Sequence, residues 1–377
     1  MKGQRTIGIV GGGQLGRMLT LAAKPLGFHV IVVNPTANSP AAQVGAEEIV
    51  ADLYDPVALK QLAKRADYVT VEIEHLDADE LESISKNGTP VNPTPATIRL
   101  IQDKLLQKQA LKSWNIPIAD FDAITDEANA ARLLKRFGGK MIIKTRHGGY
   151  DGRGNMVVKS KADIKKAFQL FAGRQLYAEA IVPFTKELAV MVARSVSGHV
   201  SVYPVVQTIH ERNICVEVLA PAPVSVVVRR RAEKIATKVA DLLGSVGAFG
   251  IEMFLTKGGK VLVNEIAPRV HNSGHHTIEA NRTSQFEQHI RAVAGLPLGD
   301  TSLVVPAAVM INILGERDGL TKIIGVDEAL QIPGVSVHLY GKSPTKIDRK
   351  MGHITATAKT VAQARAHARE ARRKISI

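Results

Sequence analysis

Residues 251–276 read IEMFLTKGGKVLVNEIAPRVHNSGHH, and the fold of the chain is best understood outward from this stretch. Two apolar runs, IEMFL and VLVNE, flank the pair Gly258-Gly259. A Gly-Gly pair in this setting predicts a β-hairpin, because a two-residue primed turn needs positive φ angles at its centre. With the two glycines at the turn, Glu252 and Glu265 are equally far from it and face each other across the ladder.

Two facing glutamates need a counter-charge. Directly opposite side chains lie roughly 5 Å apart, and like charges there destabilise a sheet. Mg²⁺ suits a site with few carboxylates, because it keeps waters and takes further ligands from nucleotide phosphates. The alternative is a surface hairpin with two solvent-facing glutamates. Alternation along the strand places Asn264 on the other face, unless the strand end twists.

The segment that follows the hairpin favours a binding site over a surface hairpin. Residues 268–276, PRVHNSGHH, are dense in functional groups and poor in core-forming side chains. Loops of this composition usually bind a ligand.

Composition indicates a globular protein with about two or three domains for its 377 residues. Apolar residues make up 45% of the chain, and no run approaches the ~20 residues of a membrane span. The apolar stretch after Lys2 and Arg5 is interrupted by glycines, unlike a signal peptide. Cys215 is the single cysteine, so the expected location is a reducing cytoplasm.

The formal charge of +14 is compatible with nucleic acid or with small anionic substrates. Only 4% of residues are aromatic, and the basic residues are spread along the chain except at 365–374. These features favour small anions over a nucleic acid.

The N-terminal region is predicted to be a small doubly wound α/β domain, which extends to about residue 92. A buried strand at 6–10 leads into GGGQLG at 11–16 and a helix at about 17–26, which indicates a phosphate-binding turn. The strand at 29–33 ends in Asn34, where a nicotinamide enzyme would have an acidic residue. Glu72 and Glu74 follow a strand at 68–71 and point to one side; Glu74 would hold ribose hydroxyls, cap a helix or face solvent.

The middle of the chain carries cations beside a glycine-rich loop. Arg99 and Lys104 lie on helices at 96–101 and 103–115, without acidic partners at helical spacing. A smaller α+β unit runs from 118 to about 204, where the strand 141–144 delivers Lys144. Four glycines within 148–154, with Arg146 and Arg153 nearby, are typical of a flap that closes over phosphates.

The remaining candidates carry weaker local signals. An adenosine can be bound by the strand 176–179, the apolar residues 180–182 and Glu187. A lone histidine after a strand, as His210 is, is more often structural than catalytic. Helices are predicted at 226–243 and 284–294, and a strand at 335–340. After it, Lys342, Arg349 and Lys350 would clamp a phosphate or serve as hairpin-edge charges that block aggregation.

Five motifs together resemble the ATP-grasp superfamily and, within it, the 5-(carboxyamino)imidazole ribonucleotide synthases of purine biosynthesis. These motifs are GGGQLGRM at 11–18, EIEH at 72–75, KTRHGGYDGRGN at 144–155, NEIAPRVHNSGHHT at 264–277 and RKMGH at 349–353. The resemblance covers essentially the whole chain, and GGYDGRG together with APRVHNSGH is its most specific part.

The resemblance implies an α/β and α+β ATP-grasp fold with an N-terminal Rossmann-like domain, a small lid domain and a C-terminal domain. The expected boundaries are 1–95, 96–204 and 205–377. The implied reaction joins bicarbonate to aminoimidazole ribonucleotide, with ATP converted to ADP and phosphate. A cytoplasmic homodimer is implied, with a separate mutase to move the carboxyl group from nitrogen to carbon.

The resemblance also assigns site residues. Mg²⁺ falls to Glu252 and Glu265. ATP falls to Arg99, Lys104, Lys144, Gly149, Tyr150, Asp151, Gly152, Arg153, Gly154, Asn155, Glu179, Ala180, Ile181, Val182, Glu187, His210, Asn264 and Glu265. The ribonucleotide falls to Gln14, Leu15, Glu74, Tyr150 and Arg153, with its phosphate on Lys342, Arg349 and Lys350. Bicarbonate and carboxyl transfer fall to Arg269, His271 and Asn272, with Tyr150 also counted as catalytic.

The expected mechanism has no covalent enzyme intermediate, and His271 is the candidate proton carrier. The alternative within the superfamily is a formate-dependent glycinamide ribonucleotide transformylase. A nicotinamide-dependent oxidoreductase and a nucleic-acid-binding protein are the alternatives from other classes.

Overall fold

The computed structural model describes residues 4–149 and 154–377. Within these ranges the strands form three sheets, of which two have four strands and one has nine. The predictions for Tyr150, Asp151, Gly152 and Arg153 lie outside the described residues. A parallel α/β unit followed by antiparallel α+β units confirms the predicted fold class.

The N-terminal unit is a parallel sheet with helices packed against it. Its elements are β1 (Thr6–Val10), α1 (Gln14–Ala23), β2 (His29–Asn34), β3 (Glu47–Val50), α2 (Pro56–Arg65), β4 (Tyr68–Val71) and α3 (Ala78–Lys86). The strand order is β3-β2-β1-β4. The apolar runs of β1 and β2 are buried, as parallel strands covered on both faces usually are. The sequence did not indicate β3, an edge strand whose start, Glu47-Glu48, hides its apolar pattern.

Two short helices, α4 (Pro95–Gln102) and α5 (Lys104–Ser113), lead from this unit to the next. Asp103 separates them and caps α5, since its carboxylate accepts the N–H groups of Leu105 at 3.0 Å and Leu106 at 3.2 Å. The same carboxylate accepts Nε of Arg146 at 3.1 Å. The cap therefore fixes α5 against the glycine-rich segment of the next sheet.

The small sheet is antiparallel, in the order β5-β8-β6-β7. Its elements are β5 (Phe121–Ile124), α6 (Glu127–Arg136), β6 (Met141–Thr145), β7 (Asn155–Val158), α7 (Lys161–Leu170) and β8 (Leu176–Ala180). Met141 and Ile143 of β6 are fully buried against the two helices, so alternation turns Lys144 to the opposite face.

The nine-stranded sheet forms the body of the molecule, in the order β14-β13-β9-β11-β12-β15-β17-β16 with β10 beside β9. Its strands are β9 (Phe184–Arg194), β10 (Val200–Val202), β11 (Val206–Glu211), β12 (Ile214–Ala220), β13 (Gly247–Thr256), β14 (Val261–Ala267), β15 (Ala307–Leu314), β16 (Val335–Leu339) and β17 (Lys350–Ala358). The small sheet ends at residue 180 and β9 pairs with β13, so the sheet boundary comes before the expected lid boundary at 204.

Helices cover the nine-stranded sheet. They are α8 (Val226–Leu243), α9 (Thr277–Ala280), α10 (Gln285–Val293), α11 (Val326–Leu330) and α12 (Val361–Lys374). The predicted helix at 226–243 is confirmed at both ends. Among the helices within residues 4–149 and 154–377, none has the length and apolar content needed to cross a membrane.

An apolar cluster joins the N-terminal unit to the nine-stranded sheet. Leu19 of α1, Phe286 and Ile290 of α10, Ala248 of β13 and Val270 are buried together in it. Because Val270 belongs to the polar segment after β14, this cluster anchors that segment between the two units.

His289 of α10 makes a polar link across the same contact. Its Nε2 lies 2.7 Å from Oγ1 of Thr70, and its Nδ1 accepts the N–H of Ala248 at 3.0 Å. Since Nδ1 is an acceptor, the ring must be neutral. Burial lowers the pKa of His289 from 6.5 to about 4.

We expect this histidine to make the protein less stable as the solution is acidified below about pH 6.5. Between that pH and the folded-state pKa of about 4, the unfolded chain binds the proton more readily. The stabilisation is therefore complete above pH 6.5 and is lost as pH falls, by up to about 1.4 kcal/mol per pH unit. Urea unfolding at about pH 7, 6 and 5 should show a smaller pH slope in His289→Gln than in the wild type. An equal slope in both would contradict the assignment, and exposed His199→Gln is the control.

Candidate active site

The hairpin of β13 and β14 places the two glutamates as predicted. Glu252 and Glu265 are paired across the ladder. The predicted two-residue turn at Gly258-Gly259 is wrong, because residues 257–259 form a three-residue turn between Thr256 and Lys260. The N–H of Thr256 binds the carbonyl of Lys260 at 2.9 Å, and only Gly259 of the two glycines has a positive φ, at 75°.

A β-bulge at Asn264 restores the pairing of the glutamates. Met253 pairs with Val263, whereas Glu252 pairs with Glu265, so Asn264 is the extra residue. The bulge turns the Asn264 amide toward the glutamates, and its Nδ2 lies 3.4 Å from Oε2 of Glu252. The expectation that Asn264 lies on the opposite face is therefore wrong.

The electrostatics of the hairpin favour a bound cation. Desolvation and the charge of Glu265 raise the pKa of Glu252. An ammonium group, that of Lys104, forms an ion pair with Glu265. Nε2 of His271 lies 3.5 Å from Oε1 of Glu252.

Within the described ranges, no group of three or more His, Cys, Asp or Glu side chains is arranged to hold a metal ion. Two carboxylates with an amide beside them fit Mg²⁺, which would complete its shell with phosphate oxygens and water. The residues at 252, 264 and 265 therefore fit a metal ion that would arrive with a nucleotide.

A second charge cluster lies on the small sheet. Oε1 of Glu179 is 2.8 Å from Nζ of Lys108, and Oε2 is 2.7 Å from Nζ of Lys144. Burial alone would raise the pKa of Glu179, but the two ammonium groups hold it at about 2. Sequence reasoning missed Lys108, because its acidic partner is 71 positions away in the chain.

The other predicted ATP residues lie at the edges of these two clusters. Gly154, with a φ of 86°, precedes β7, and Asn155 at the start of that strand pairs with Lys144. Ala180 ends β8, and Ile181 and Val182 lie in the connection from β8 to β9. Gly149 is partly exposed at the other end of the glycine-rich segment.

Glu187 and His210 form a pair on neighbouring strands. Nδ1 of His210 lies 2.5 Å from Oε2 of Glu187. Desolvation opposes protonation of His210, but the carboxylate outweighs it and raises the pKa of the imidazole. The two side chains hold each other beside Glu252, whose charge contributes to the same shift.

Arg99 is held by carboxylates of α3. Its Nε lies 2.9 Å from Oδ1 of Asp79, and its guanidinium also contacts Glu82. Both partners are distant in sequence from Arg99, which explains why helical spacing on α4 did not reveal them. A nucleotide role for Arg99 would require these ion pairs to be exchanged.

The glycine-rich turn before α1 already holds an anion from the chain itself. The Glu72 carboxylate accepts the N–H of Gly13 at 2.5 Å and that of Gly16 at 2.6 Å. These are the donors that a dinucleotide-binding turn offers to a pyrophosphate. The expected phosphate-binding turn is therefore wrong. This occupancy argues against a nicotinamide enzyme on physical grounds.

Gln14 and Leu15 begin α1 beside this carboxylate. The side chain of Leu15 is 8% exposed and packs in the apolar cluster, so only its backbone is available to a ligand. Gln14 is partly exposed.

Glu74 and Arg269 form a two-point ion pair between the N-terminal unit and the polar segment. Nε of Arg269 lies 2.6 Å from Oε2 of Glu74, and Nη2 lies 3.0 Å from Oε1. Burial would raise the pKa of Glu74, but Arg269 lowers it to about 2. The pair fixes the guanidinium, as a bidentate contact does.

His271 and Asn272 are oriented by neighbours that the sequence did not reveal. Desolvation, together with the nearby charges of Arg269 and Lys350, lowers the pKa of His271 to about 3, so its ring is neutral. Asn272 exchanges two amide hydrogen bonds with Asn312, at 3.0 and 2.6 Å. Asn312 in turn donates to the carbonyl of Cys215 at 2.8 Å.

The C-terminal cations lie toward the same region. Nζ of Lys342 donates to the carbonyl of Lys350 at 2.9 Å, and Nη1 of Arg349 donates to that of Pro344 at 2.6 Å. Lys350 acts electrostatically on His271, and Lys342 acts on Glu72. The loop at 341 also touches the N-terminal unit.

Three family descriptions match successive parts of the chain. They are the ribonucleotide synthetase preATP-grasp domain at residues 4–102, the ATP-grasp domain at 109–286 and the phosphoribosylaminoimidazole carboxylase C-terminal domain at 308–367. The order of these matches agrees with the order of the structural units described above.

Relatives of known function match nearly all of the chain. Phosphoribosylaminoimidazole carboxylase of Ogataea methanolica is 45% identical over 95% of this chain and 67% of its own length. N5-carboxyaminoimidazole ribonucleotide synthase of Bacillus subtilis is 40% identical over 93% of this chain and 90% of its own length. The chain spans only 65% and 63% of the carboxylases of Schizosaccharomyces pombe and Vigna aconitifolia.

A solved structure agrees with the fold over the same extent. N5-carboxyaminoimidazole synthase of Aspergillus clavatus, in complex with ADP and 5-aminoimidazole ribonucleotide, superposes with a TM-score of 0.90. It is 37% identical and covers 98% of both chains. The chain described here therefore belongs to the N5-carboxyaminoimidazole ribonucleotide synthase family of ATP-grasp proteins.

Proposed function

We propose that this chain joins bicarbonate to the exocyclic amine of 5-aminoimidazole ribonucleotide, with ATP converted to ADP and phosphate. The observation that carries the proposal is the facing pair Glu252 and Glu265. One side of this pair adjoins the lysine cluster around Glu179, which suits nucleotide phosphates, and the other side adjoins the polar segment 268–276. The Aspergillus clavatus relative, determined with ADP and this ribonucleotide, supports the choice of substrates.

Two binding regions, one on each side of the hairpin, would bring the three substrates together. ATP would lie between the small sheet and the hairpin, with its phosphates toward Lys104 and Lys144. The ribonucleotide would lie between the N-terminal unit and the C-terminal cations, where Lys342 faces the charge of Glu72. The polar segment after β14 would border both regions.

The chemistry then proceeds in two steps. A bicarbonate oxygen attacks the γ-phosphorus of ATP, the bond to the β,γ-bridging oxygen breaks, and ADP and carboxyphosphate form. The amine attacks the carboxyl carbon, or that of CO₂ released from carboxyphosphate; phosphate leaves, and the amine loses a proton. Mg²⁺ held by Glu252 and Glu265 would supply charge neutralisation on the phosphates.

Side chains of the chain would position each reactant. Glu74 holds Arg269 in place, so the guanidinium is ready to bind bicarbonate without reorganisation. The ring of His271 is neutral, with its pKa lowered to about 3, and would become an effective proton acceptor only when the negative charge of bound bicarbonate and phosphate raises that pKa. Asn272, fixed by Asn312, would direct its remaining amide hydrogen to the carboxyl group.

We infer Mg²⁺ as the metal, a homodimer as the assembly and the cytoplasm as the location. The N-carboxylated product has the chemistry of a substrate for a mutase that moves the carboxyl group from nitrogen to carbon.

ADP release tests the proposal against its nearest rival. With ATP, Mg²⁺ and bicarbonate, we expect rapid ADP release that depends on 5-aminoimidazole ribonucleotide. With glycinamide ribonucleotide and formate, we expect release no faster than the background hydrolysis of ATP. The reverse pattern would replace the proposed carboxylase with a formate-dependent transformylase, and equal background in both would reject both functions.

A further inference from the structure

Lys108 is a buried ammonium group to which the proposed reaction gives no role. Its side chain is 2% exposed, and its Nζ lies 2.8 Å from Oε1 of Glu179. Burial lowers the pKa of Lys108, while the charge of Glu179 opposes that shift. Burying a lysine costs free energy that pairing with a carboxylate only partly offsets, so the presence of a buried lysine at this position needs an explanation.

The cluster around Glu179 contains one positive charge in excess. Lys108 and Lys144 both contact the single carboxylate, one on each oxygen. If Lys144 turned toward a polyphosphate, Lys108 would still neutralise Glu179. Without Lys108, the same movement of Lys144 would leave the buried carboxylate without a cationic partner, which is strongly unfavourable.

Helix α5 sets the position of Lys108 in the site. Lys104 and Lys108 are four residues apart and so project from one face of this helix. Lys104 contacts Glu265 of the hairpin, and Lys108 contacts Glu179 of the small sheet. The helix is fixed at its start by the Asp103 cap.

The side chain of Gln107 ties α5 to the hairpin. Its Oε1 accepts the N–H of Ile266 at 3.1 Å. The helix therefore holds its two ammonium groups in fixed positions between the Glu252–Glu265 pair and the small sheet.

We propose that Lys108 is a positioning residue of the nucleotide site, which holds Glu179 and thereby frees Lys144 to bind the phosphates of ATP. The inference rests on the proposed function only in taking ATP as the nucleotide. It requires nothing of the ribonucleotide or of bicarbonate. A purely structural role for Lys108 would instead affect folding and leave nucleotide affinity unchanged.

Calorimetric titration with Mg·ADP tests the proposal without any carboxylation. We expect Lys108→Met to weaken ADP binding at least about tenfold, because Lys144 stays paired with Glu179. Lys112→Met, an exposed lysine one turn further along α5, is the matched control and should bind ADP like the wild type.

A second comparison remains informative if Lys108→Met fails to fold. The variant Lys108→Met/Glu179→Gln has neither a buried cation nor a buried carboxylate in this pair, so it is compared with Glu179→Gln alone. We expect these two variants to bind ADP equally well, since Lys144 has no carboxylate to leave. A tenfold loss between them would overturn the proposal, as would wild-type ADP affinity in Lys108→Met.

The two proposals fail separately. If the wild-type chain binds Mg·ADP but does not carboxylate the ribonucleotide, the proposed function falls, whereas the role of Lys108 is still decided by the titrations.

Discussion

Glu265→Gln is expected to abolish ADP formation that depends on 5-aminoimidazole ribonucleotide, with a loss in kcat of about 10³-fold or more. The substitution keeps the size of the side chain but removes one of the two charges that face each other on β13 and β14. It also removes the partner of Lys104. The steady-state rate of ADP release, measured at saturating ATP and ribonucleotide, checks this expectation.

The control for this variant is Glu211→Gln at the exposed end of β11. It should retain wild-type turnover. Substantial turnover of Glu265→Gln at saturating Mg²⁺ would rule out Glu265 as an essential metal ligand. A near-native thermal transition of the variant would show that any loss of activity does not come from unfolding.

Arg269→Met is expected to lose both activity and stability. It leaves the carboxylate of Glu74 buried without a partner, and breaking a buried ion pair in this way costs about 3–5 kcal/mol of unfolding free energy. It also removes the guanidinium proposed to bind bicarbonate. Urea unfolding measures the first effect, and ADP release measures the second.

A double variant separates the two roles of Arg269. Arg269→Met/Glu74→Leu replaces the ion pair with two apolar side chains and should regain most of the stability but none of the activity. Arg282→Met, which removes the exposed contact with Asp300, should cost less than about 1 kcal/mol. Recovery of activity in the double variant would contradict a role for Arg269 in binding bicarbonate.

The hairpin shows what local sequence can and cannot predict. The pairing of Glu252 with Glu265 was predicted from the position of Gly258-Gly259, yet the turn itself was wrong. A three-residue turn shifts the register by one, and the bulge at Asn264 shifts it back. Apolar alternation specifies which residues form the strands, whereas turn type and bulges depend on the neighbouring strand, here β9.

Contacts between distant segments account for the other differences. The sequence indicates the GxGxxG turn, but the residue that occupies it, Glu72, follows β4 about sixty residues later and accepts the N–H of Gly13 at 2.5 Å. Lys108 and Asn312 likewise carry no local motif, since their partners Glu179 and Asn272 meet them only in the folded chain. Spacing rules relate residues within one helix or one hairpin, so they do not reveal partners that lie on distant elements.

The family resemblance predicted the larger architecture, and the order of the units agrees with it. The position of β9 shows the limit of this prediction. The apolar run at 188–192 has the pattern of a strand, but such a pattern does not say which sheet the strand joins. Pairing of Phe249 with Val192 places β9 in the nine-stranded sheet, beside the strand that carries Glu252.

The most direct test of the central claim follows the carbon of bicarbonate. The wild-type protein is incubated with ATP, Mg²⁺, 5-aminoimidazole ribonucleotide and ¹³C-labelled bicarbonate, and NMR spectra are recorded during turnover. We predict a labelled carboxyl group on the exocyclic nitrogen, formed in an amount equal to ADP and only when ATP is present. ADP formation without a labelled carboxyl product, or carboxylation that does not consume ATP, would contradict the account.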